Sequence, residues 1–149
     1  TVDPKGRLIV PSKFRELLGA EFVVTRGLDG CLFVYPMESW TAYVDKLKKL
    51  PLTDKNARLF MRFLIAGANT CELDKQGRIL LPATLREFAG LEKDVLLAGM
   101  LDHIEIWNEE RWKENADFGD MDTIASHLNE VSGRECGENP WNSAIIPLC

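Results

Sequence analysis

The 149-residue chain is poor in the residues from which metal sites and catalytic centres are built. It has two histidines, His103 and His127, and four widely spaced cysteines, Cys31, Cys71, Cys136 and Cys149, with no C-x-x-C pair. Structural zinc ligands normally come in closely spaced pairs, so no metal site is expected and the cysteines read as reduced thiols. No apolar run approaches the roughly 18 to 20 residues of a membrane helix. The opening TVDPKGRL lacks the basic-then-apolar layout of a signal peptide. There is no G-x-S-x-G, no Cys–His context for a thiol nucleophile, and no glycine-rich loop ending in Lys-Ser/Thr between a strand and a helix. No set of residues fills the roles of a catalytic site, so neither enzyme activity nor a cofactor is expected.

What remains is a chain that is 46% hydrophobic and 28% charged, suited to a soluble, core-forming fold of one medium domain or two very small ones. The net charge of −5 is unevenly spread. Residues 1–113 carry 17 Lys and Arg against 16 Asp and Glu, whereas residues 114–149 carry one Arg against seven acids. The acidity belongs to the tail. Residues 1–70 hold 11 basic and seven acidic side chains, which allows an electropositive face there.

The informative feature is an internal repeat. DPKGRLIVPSKFRELLG (residues 3–19) aligns without a gap on DKQGRILLPATLREFAG (residues 74–90), an offset of 71. Identical pairs are Asp3/Asp74, Gly6/Gly77, Arg7/Arg78, Pro11/Pro82, Arg15/Arg86, Glu16/Glu87 and Gly19/Gly90. The likeness continues more loosely through Leu28/Leu101, Asp29/Asp102 and Trp40/Trp112, giving a duplicated unit of about 40 residues.

Each copy reads alike. Asp-x-x-Gly-Arg is a tight turn, in which the Asp side chain accepts backbone N–H bonds and Gly supplies a positive φ. An aliphatic strand follows (8–10 or 79–81). Pro11 or Pro82 ends it and opens a short helix (12–18 or 83–89) that stops at Gly19 or Gly90. Two hairpin strands come next, 22–25 with 31–35 and 95–98 with 103–107. A Trp-bearing helix closes each copy, 37–50 or 109–114, the latter capped by Asn108. Between the copies, residues 54–66 predict a helix capped by Asp54, with Leu59, Phe60, Phe63 and Leu64 as an apolar stripe and Arg58 and Arg62 on another face. A strand over 68–73 then leads into the second turn. The first copy has only Thr1 and Val2 in that place, so the chain is expected to lack roughly eight to ten N-terminal residues, judged by typical strand length. Beyond residue 114 the pattern fails. Residues 121–131 suit a short helix, and the Gly, Pro and Asn of GRECGENPWNSAIIPLC suit a loosely docked appendage.

Two DxxGR-(aliphatic)3-P-xxxRE units, each followed by a hairpin and a Trp-bearing helix, resemble the MraZ family and, more widely, the AbrB/SpoVT class. The resemblance covers residues 1–113. It implies an α+β, mainly β fold in which tandem swapped-hairpin units form one pseudo-symmetric double-psi-type β-barrel with short flanking helices. The expected divisions are a first unit (1–40), connecting helices (41–67), a second unit (68–113) and an acidic, poorly structured tail (114–149). It further implies a cytoplasmic, nucleoid-associated transcriptional regulator, a repressor of the bacterial division and cell wall gene cluster. Its implied partners are double-stranded DNA, as short G-rich direct repeats in a promoter, and itself, as a ring-shaped homo-oligomer.

By position, the family's DNA-contacting arginine falls on Arg7, with Arg78 its counterpart. Lys5 takes the basic position before the glycine, where the second copy has Gln76. An arginine fork at the edge of a turn reads guanine by bonding O6 and N7 together. Lys5, Lys13, Arg15 and Lys75 complete the candidate DNA-binding set as phosphate contacts, and Asp3, Gly6, Asp74 and Gly77 form the turns. Four competing readings stand beside this. Arg7 and Arg78 also suit ion pairs with Asp3 and Asp74, and Arg15 and Arg86, each preceding Glu on a helix, suit structural or interface bonds. Lys46, Lys48 and Lys49 read as a solvated helix face, and Trp40 and Trp112 as core or subunit packing. The rival functions are an AbrB-like antitoxin or protein-interaction module using the acidic tail, and a purely structural ring-former.

Overall fold

A computed structural model describes residues 1–135 of the chain. The first copy contains β1 (Arg7–Ile9), α1 (Ser12–Leu18), the hairpin strands β2 (Phe22–Arg26) and β3 (Leu32–Pro36), and α2 (Met37–Leu47). A connecting helix α3 (Lys55–Ala66) and a strand β4 (Asn69–Cys71) precede the second copy, β5 (Arg78–Leu80), α4 (Ala83–Ala89), β6 (Val95–Gly99), β7 (Ile104–Asn108) and α5 (Glu109–Asn115). A last helix, α6, spans Met121–Glu135. It is longer than the short helix expected over 121–131, so part of the tail is regular structure; the expectation of an irregular tail beyond it, with Cys136 and Cys149, lies outside the described residues. No helix among the described residues is long and apolar enough to cross a membrane.

Local chemistry accounts for the boundaries. Pro11 and Pro82, both extended (φ −55 and −58°), occupy the residue before α1 and α4. Gly19 and Gly90 follow those helices at φ 70 and 65°, conformations that an L side chain resists. The Asp54 carboxylate accepts the Asn56 and Ala57 N–H groups at the start of α3, and Asn108 does the same for Glu110 and Arg111 at α5.

The strands form two antiparallel sheets, a β1·β5 ribbon and a five-stranded sheet in the order β4-β2-β3-β7-β6. Helices of seven to fifteen residues outweigh strands of three to five, so the fold is a mixed α+β one, not the mainly β one expected. Both contacts between copies are two-fold symmetric in register. Leu8 faces Ile79, with Arg7 opposite Leu80 and Ile9 opposite Arg78. Phe33 faces Glu105, with Leu32 opposite Ile106 and Val34 opposite Ile104. Outside the ribbon, Val10 N–H donates to Gly77 O (2.9 Å) and Leu81 N–H to Gly6 O (3.0 Å), again as a symmetric pair.

Strand alternation sorts the side chains into two cores. Leu32 and Val34 point to one face, where matched residues of both copies meet: Leu8 and Ile79, Val10 and Leu81, Phe14 and Leu85, with Ile104 and Ile106. Phe33 and Tyr35 point to the other, where α2 and α3 supply Tyr43, Leu47 and Leu64 and the two helix tryptophans, Trp40 and Trp112, are partly buried. The tryptophans are thus packing residues, as their spacing predicted. Buried Thr25 satisfies its hydroxyl on the Leu64 carbonyl (2.5 Å), tying β2 to α3.

A reciprocal contact locks the copies together. The Arg15 guanidinium lies over Gly77 and that of Arg86 over Gly6; a Cβ on Gly6 would sit 2.7 Å from Arg86 Cζ. Each arginine also donates from Nε to the end of its own strand, Arg15 to Val10 O (2.7 Å) and Arg86 to Leu81 O (3.1 Å). Both glycines are at positive φ, 82° and 76°, so they are required twice over, for conformation and for space.

In the second hairpin, the ring of His103 stacks on Tyr35 and is flanked at both nitrogens by carboxylates: Nδ1 by Asp102 (2.7 Å) and Nε2 by Glu105 (3.4 Å). Burial opposes its charge, but the hydrogen bonds and charges of Glu105 and Asp102 outweigh burial and raise its pKa above 6.5. Glu105, also bonded by Trp107 Nε1 (2.9 Å), is held below 4.5.

Two outcomes follow from these contacts. Gly77→Ala is expected to destabilise by about 1–3 kcal/mol from backbone strain, and Arg15→Ala by about 1–3 kcal/mol through a lost bond to a carbonyl. In urea denaturation the double variant should lose less than the sum by about 0.5–3 kcal/mol, because the methyl added at position 77 then has no guanidinium to meet; strict additivity would refute the stack. For His103, the raised folded pKa means its stabilisation is complete below the unfolded value of 6.5 and is lost as pH rises through the folded value. Stability in that window should decline with pH, and His103→Asn should flatten the decline.

Candidate nucleic-acid interface

The two Asp-x-x-Gly-Arg turns have the same hydrogen-bond plan. Asp3 Oδ1 accepts from the N–H groups of Lys5 (2.9 Å) and Arg7 (2.8 Å), while Asp3 Oδ2 accepts from Arg7 Nε (2.7 Å). Asp74 Oδ1 accepts from Gln76 and Arg78 N–H (2.9 Å each), and its Oδ2 from Arg78 Nε (2.8 Å). Backbone N–H donation by the arginine is the largest influence on each carboxyl, and it holds both below their ordinary range. Each arginine is therefore fixed at Nε by its own turn. That arrangement satisfies the ion-pair reading and leaves the Nη groups of each fork outside the ion pair.

The copies differ at that far end. Arg78 Nη2 donates to Gln76 Oε1 (3.2 Å). In the first copy Lys5 stands in place of Gln76 and accepts nothing, and Arg7 has no bonded partner beyond Asp3 among the described residues. Arg7 thus presents two Nη groups beside a second cation, whereas Arg78 is partly occupied.

The ribbon sets the direction of both. Leu8 and Ile79 are each 1% exposed, so strand alternation turns residues 7, 9, 78 and 80 outward. Ile9 is 60% and Leu80 62% exposed, each directly opposite the other strand's arginine. The outer face is a small square of two arginines and two aliphatics on a two-stranded ribbon. Such a ribbon fits the B-DNA major groove, where an arginine fork matches guanine O6 and N7 and an aliphatic side chain matches the thymine methyl. Ile9 and Leu80 were not singled out from sequence, although the signal was present: one buried residue at the centre of each short strand forces its neighbours out.

Of the remaining candidates, Lys5 and Lys75 are exposed in the turns next to this face. Lys13 is exposed on α1, its ammonium 4.9 Å from the centre of the Phe14 ring. Arg15 stands apart from the set, because its guanidinium is engaged with Val10 O and Gly77; the interface-bond reading is the one this geometry carries. Among the described residues no group of three His, Cys, Asp or Glu is placed to hold a metal ion. Burial pushes the Cys31 thiol up to about 12, which makes it inert as a nucleophile.

The family model described as "MraZ protein, putative antitoxin-like" matches the chain twice, over residues 1–63 and 64–124. The chain belongs to the MraZ family. A protein of Lachnoclostridium phytofermentans named transcriptional regulator MraZ is 57% identical over 129 residues, covering 87% of this chain and 90% of that one. Proteins of the same name from a Thermoanaerobacter species and from Limosilactobacillus reuteri are 54% and 56% identical, over 89% and 87% of this chain and 94% and 92% of theirs. These are relatives named as regulators, and the family is not one of enzymes.

The asymmetry between the arginines is directly measurable. In side-chain 15N NMR the Arg78 Nη protons should exchange with water more slowly than those of Arg7. Gln76→Ala should remove the difference, and equal exchange in the parent chain would refute the asymmetry.

Proposed function

We propose that the chain is a transcriptional regulator that binds double-stranded DNA sequence-specifically through the outer face of the β1·β5 ribbon. The observation that carries this is Arg7, fixed by Asp3 at Nε with its Nη groups outward, beside Lys5 and opposite Leu80. Arg7 reads guanine in short G-rich direct repeats. Arg78 is the weaker second reader, and Lys5, Lys13 and Lys75 contact phosphates. The names of the relatives support the regulatory role. In this reading residues 1–40 and 68–113 are the two halves of one closed barrel, joined through 41–67, with 114–149 as an acidic appendage. The regulator is a nucleoid-associated repressor of the division and cell wall gene cluster and acts as a ring-shaped homo-oligomer. One ribbon offers few contacts, and a ring presenting several to successive repeats gains through effective concentration.

The family's description as antitoxin-like favours one alternative, a module that captures a protein through its C-terminal segment. Binding to a duplex of spaced G-rich repeats, with a scrambled duplex as control and salt varied for both, separates the two. The proposal expects a preference for the repeats and an affinity that falls steeply with salt. Arg7→Ala should cost about 10- to 100-fold on the repeats, in line with about 1–3 kcal/mol for a bidentate base contact, and little on the scrambled duplex. Lys13→Ala should weaken both alike, and Lys113→Ala neither. No preference at any salt overturns the regulator reading and favours the protein-capture module.

A further inference from the structure

Two exposed surfaces of this chain have complementary character. The inner side of α3 is buried through Leu64, with Phe60, Met61 and Phe63 packed beside it. Its outer side carries Lys55, Arg58, Arg62, Leu59 and Ile65, of which Leu59 is 61% and Ile65 42% exposed. No acid occurs from Lys55 to Ala66. The preceding turn adds Leu52, 69% exposed, and the Arg58 Nη1 bond to its carbonyl (2.8 Å) keeps that side chain at the same end of the helix.

The approach to α6 and its first turns have the opposite charge. Residues 114–128 contain four acids, Glu114, Asp117, Asp120 and Asp122, and no Lys or Arg. Among these acids Phe118, Met121 and Ile124 are 65%, 41% and 44% exposed. Met121, Ile124 and Leu128 recur at helical spacing and so share one face. A fifteen-residue helix is marginal alone in water and normally depends on packing of its apolar side. Within one chain, the outer face of α3 and the apolar face of α6 are both exposed, so neither covers the other. The leucines and isoleucine set among the α3 cations favour a protein partner with apolar side chains over phosphates, which would gain nothing from them.

We propose that α6 of one copy docks on the outer face of α3 of a second copy, acids against Lys55, Arg58 and Arg62, and Met121 and Ile124 against Leu59 and Ile65. The contact joins unlike surfaces, so it is head-to-tail and closes into a ring when the rotation allows. It rests on the ring-oligomer part of the function proposed above and names the surface that builds it.

The test uses the full chain and light scattering. Lys55→Glu with Arg62→Glu is expected to reduce the assembly to smaller species, as is Asp117→Lys with Asp122→Lys. Mixing the two variants should restore the parent mass, because each then meets a complementary face. Docking of α6 within its own chain would give no rescue on mixing and would overturn the proposal. A second measurement does not depend on the helix tolerating reversed charges. Chains with Cys71, Cys136 and Cys149 replaced by Ser, one carrying Leu59→Cys and the other Ile124→Cys, should form a disulfide between copies when mixed and oxidised; failure to cross-link would also overturn it. A monomeric parent chain would overturn the ring reading itself. An oligomeric parent whose mass survives both charge reversals would overturn only this interface, and loss of DNA affinity at unchanged mass would assign the α3 face to phosphates instead.

Discussion

Arg15 rests on a glycine of the other copy, Arg86 does the same in return, and most of the architecture depends on that crossing. It explains the spacing of the repeated motif. The proline after each strand starts a helix, and the arginine on its last turn reaches back to the carbonyl that ends its own strand while its guanidinium covers the opposite turn. Nothing larger than glycine fits beneath it, and the same glycine must hold a positive φ for the turn to close. The ribbon register, the backbone bonds from Val10 to Gly77 and from Leu81 to Gly6, and the shared core of Leu8, Ile79, Val10 and Leu81 are all consistent with this one juxtaposition and lie around it.

The turn that receives an arginine from the other copy also displays its own. Asp3 occupies Nε of Arg7, which removes the freedom of a long side chain and leaves its two Nη groups outside the ion pair. A pre-organised fork loses less entropy on meeting a partner than a free one. The lock and the proposed reading head are therefore a single motif, and substitutions in it affect stability and binding together unless they touch only the Nη groups. Lys5 and Gln76 are positions of that kind: both leave the turn's bonds intact and differ only in what they offer the arginine's far end.

The repeat made much of this legible. Asp-x-x-Gly-Arg predicted the turn, proline and glycine the helix limits, and Asp54 and Asn108 the caps, because each is a local rule acting over a few residues. The pairing between copies was not legible in the same way. A duplicated segment implies two similar folds but not which strand of one lies beside which strand of the other, and both β1·β5 and β3·β7 join residues about 70 apart. The strands also begin one residue earlier than their aliphatic runs, at Arg7 and Arg78. That shift matters, because it moves the arginines from the turn onto the outer face of the ribbon and brings Ile9 and Leu80 beside them. Arg15 illustrates the limit of local context: its sequence suits a phosphate contact and a structural or interface bond alike, and only the opposite turn, placed against its guanidinium, separates the two.

The internal two-fold also constrains how such a ribbon meets DNA. A strictly symmetric pair of arginines would present equal forks in opposite senses, which matches an inverted repeat. Here one fork is open and flanked by Lys5, and the other is partly closed by Gln76, so the two ends of the ribbon are unequal. An unequal ribbon gains most from one orientation on the duplex. Copies arranged head-to-tail would repeat that orientation, and direct repeats are the DNA arrangement that fits it. On the proposed reading, the difference between Lys5 and Gln76 within the turn and the polarity of the assembly thus serve the same requirement.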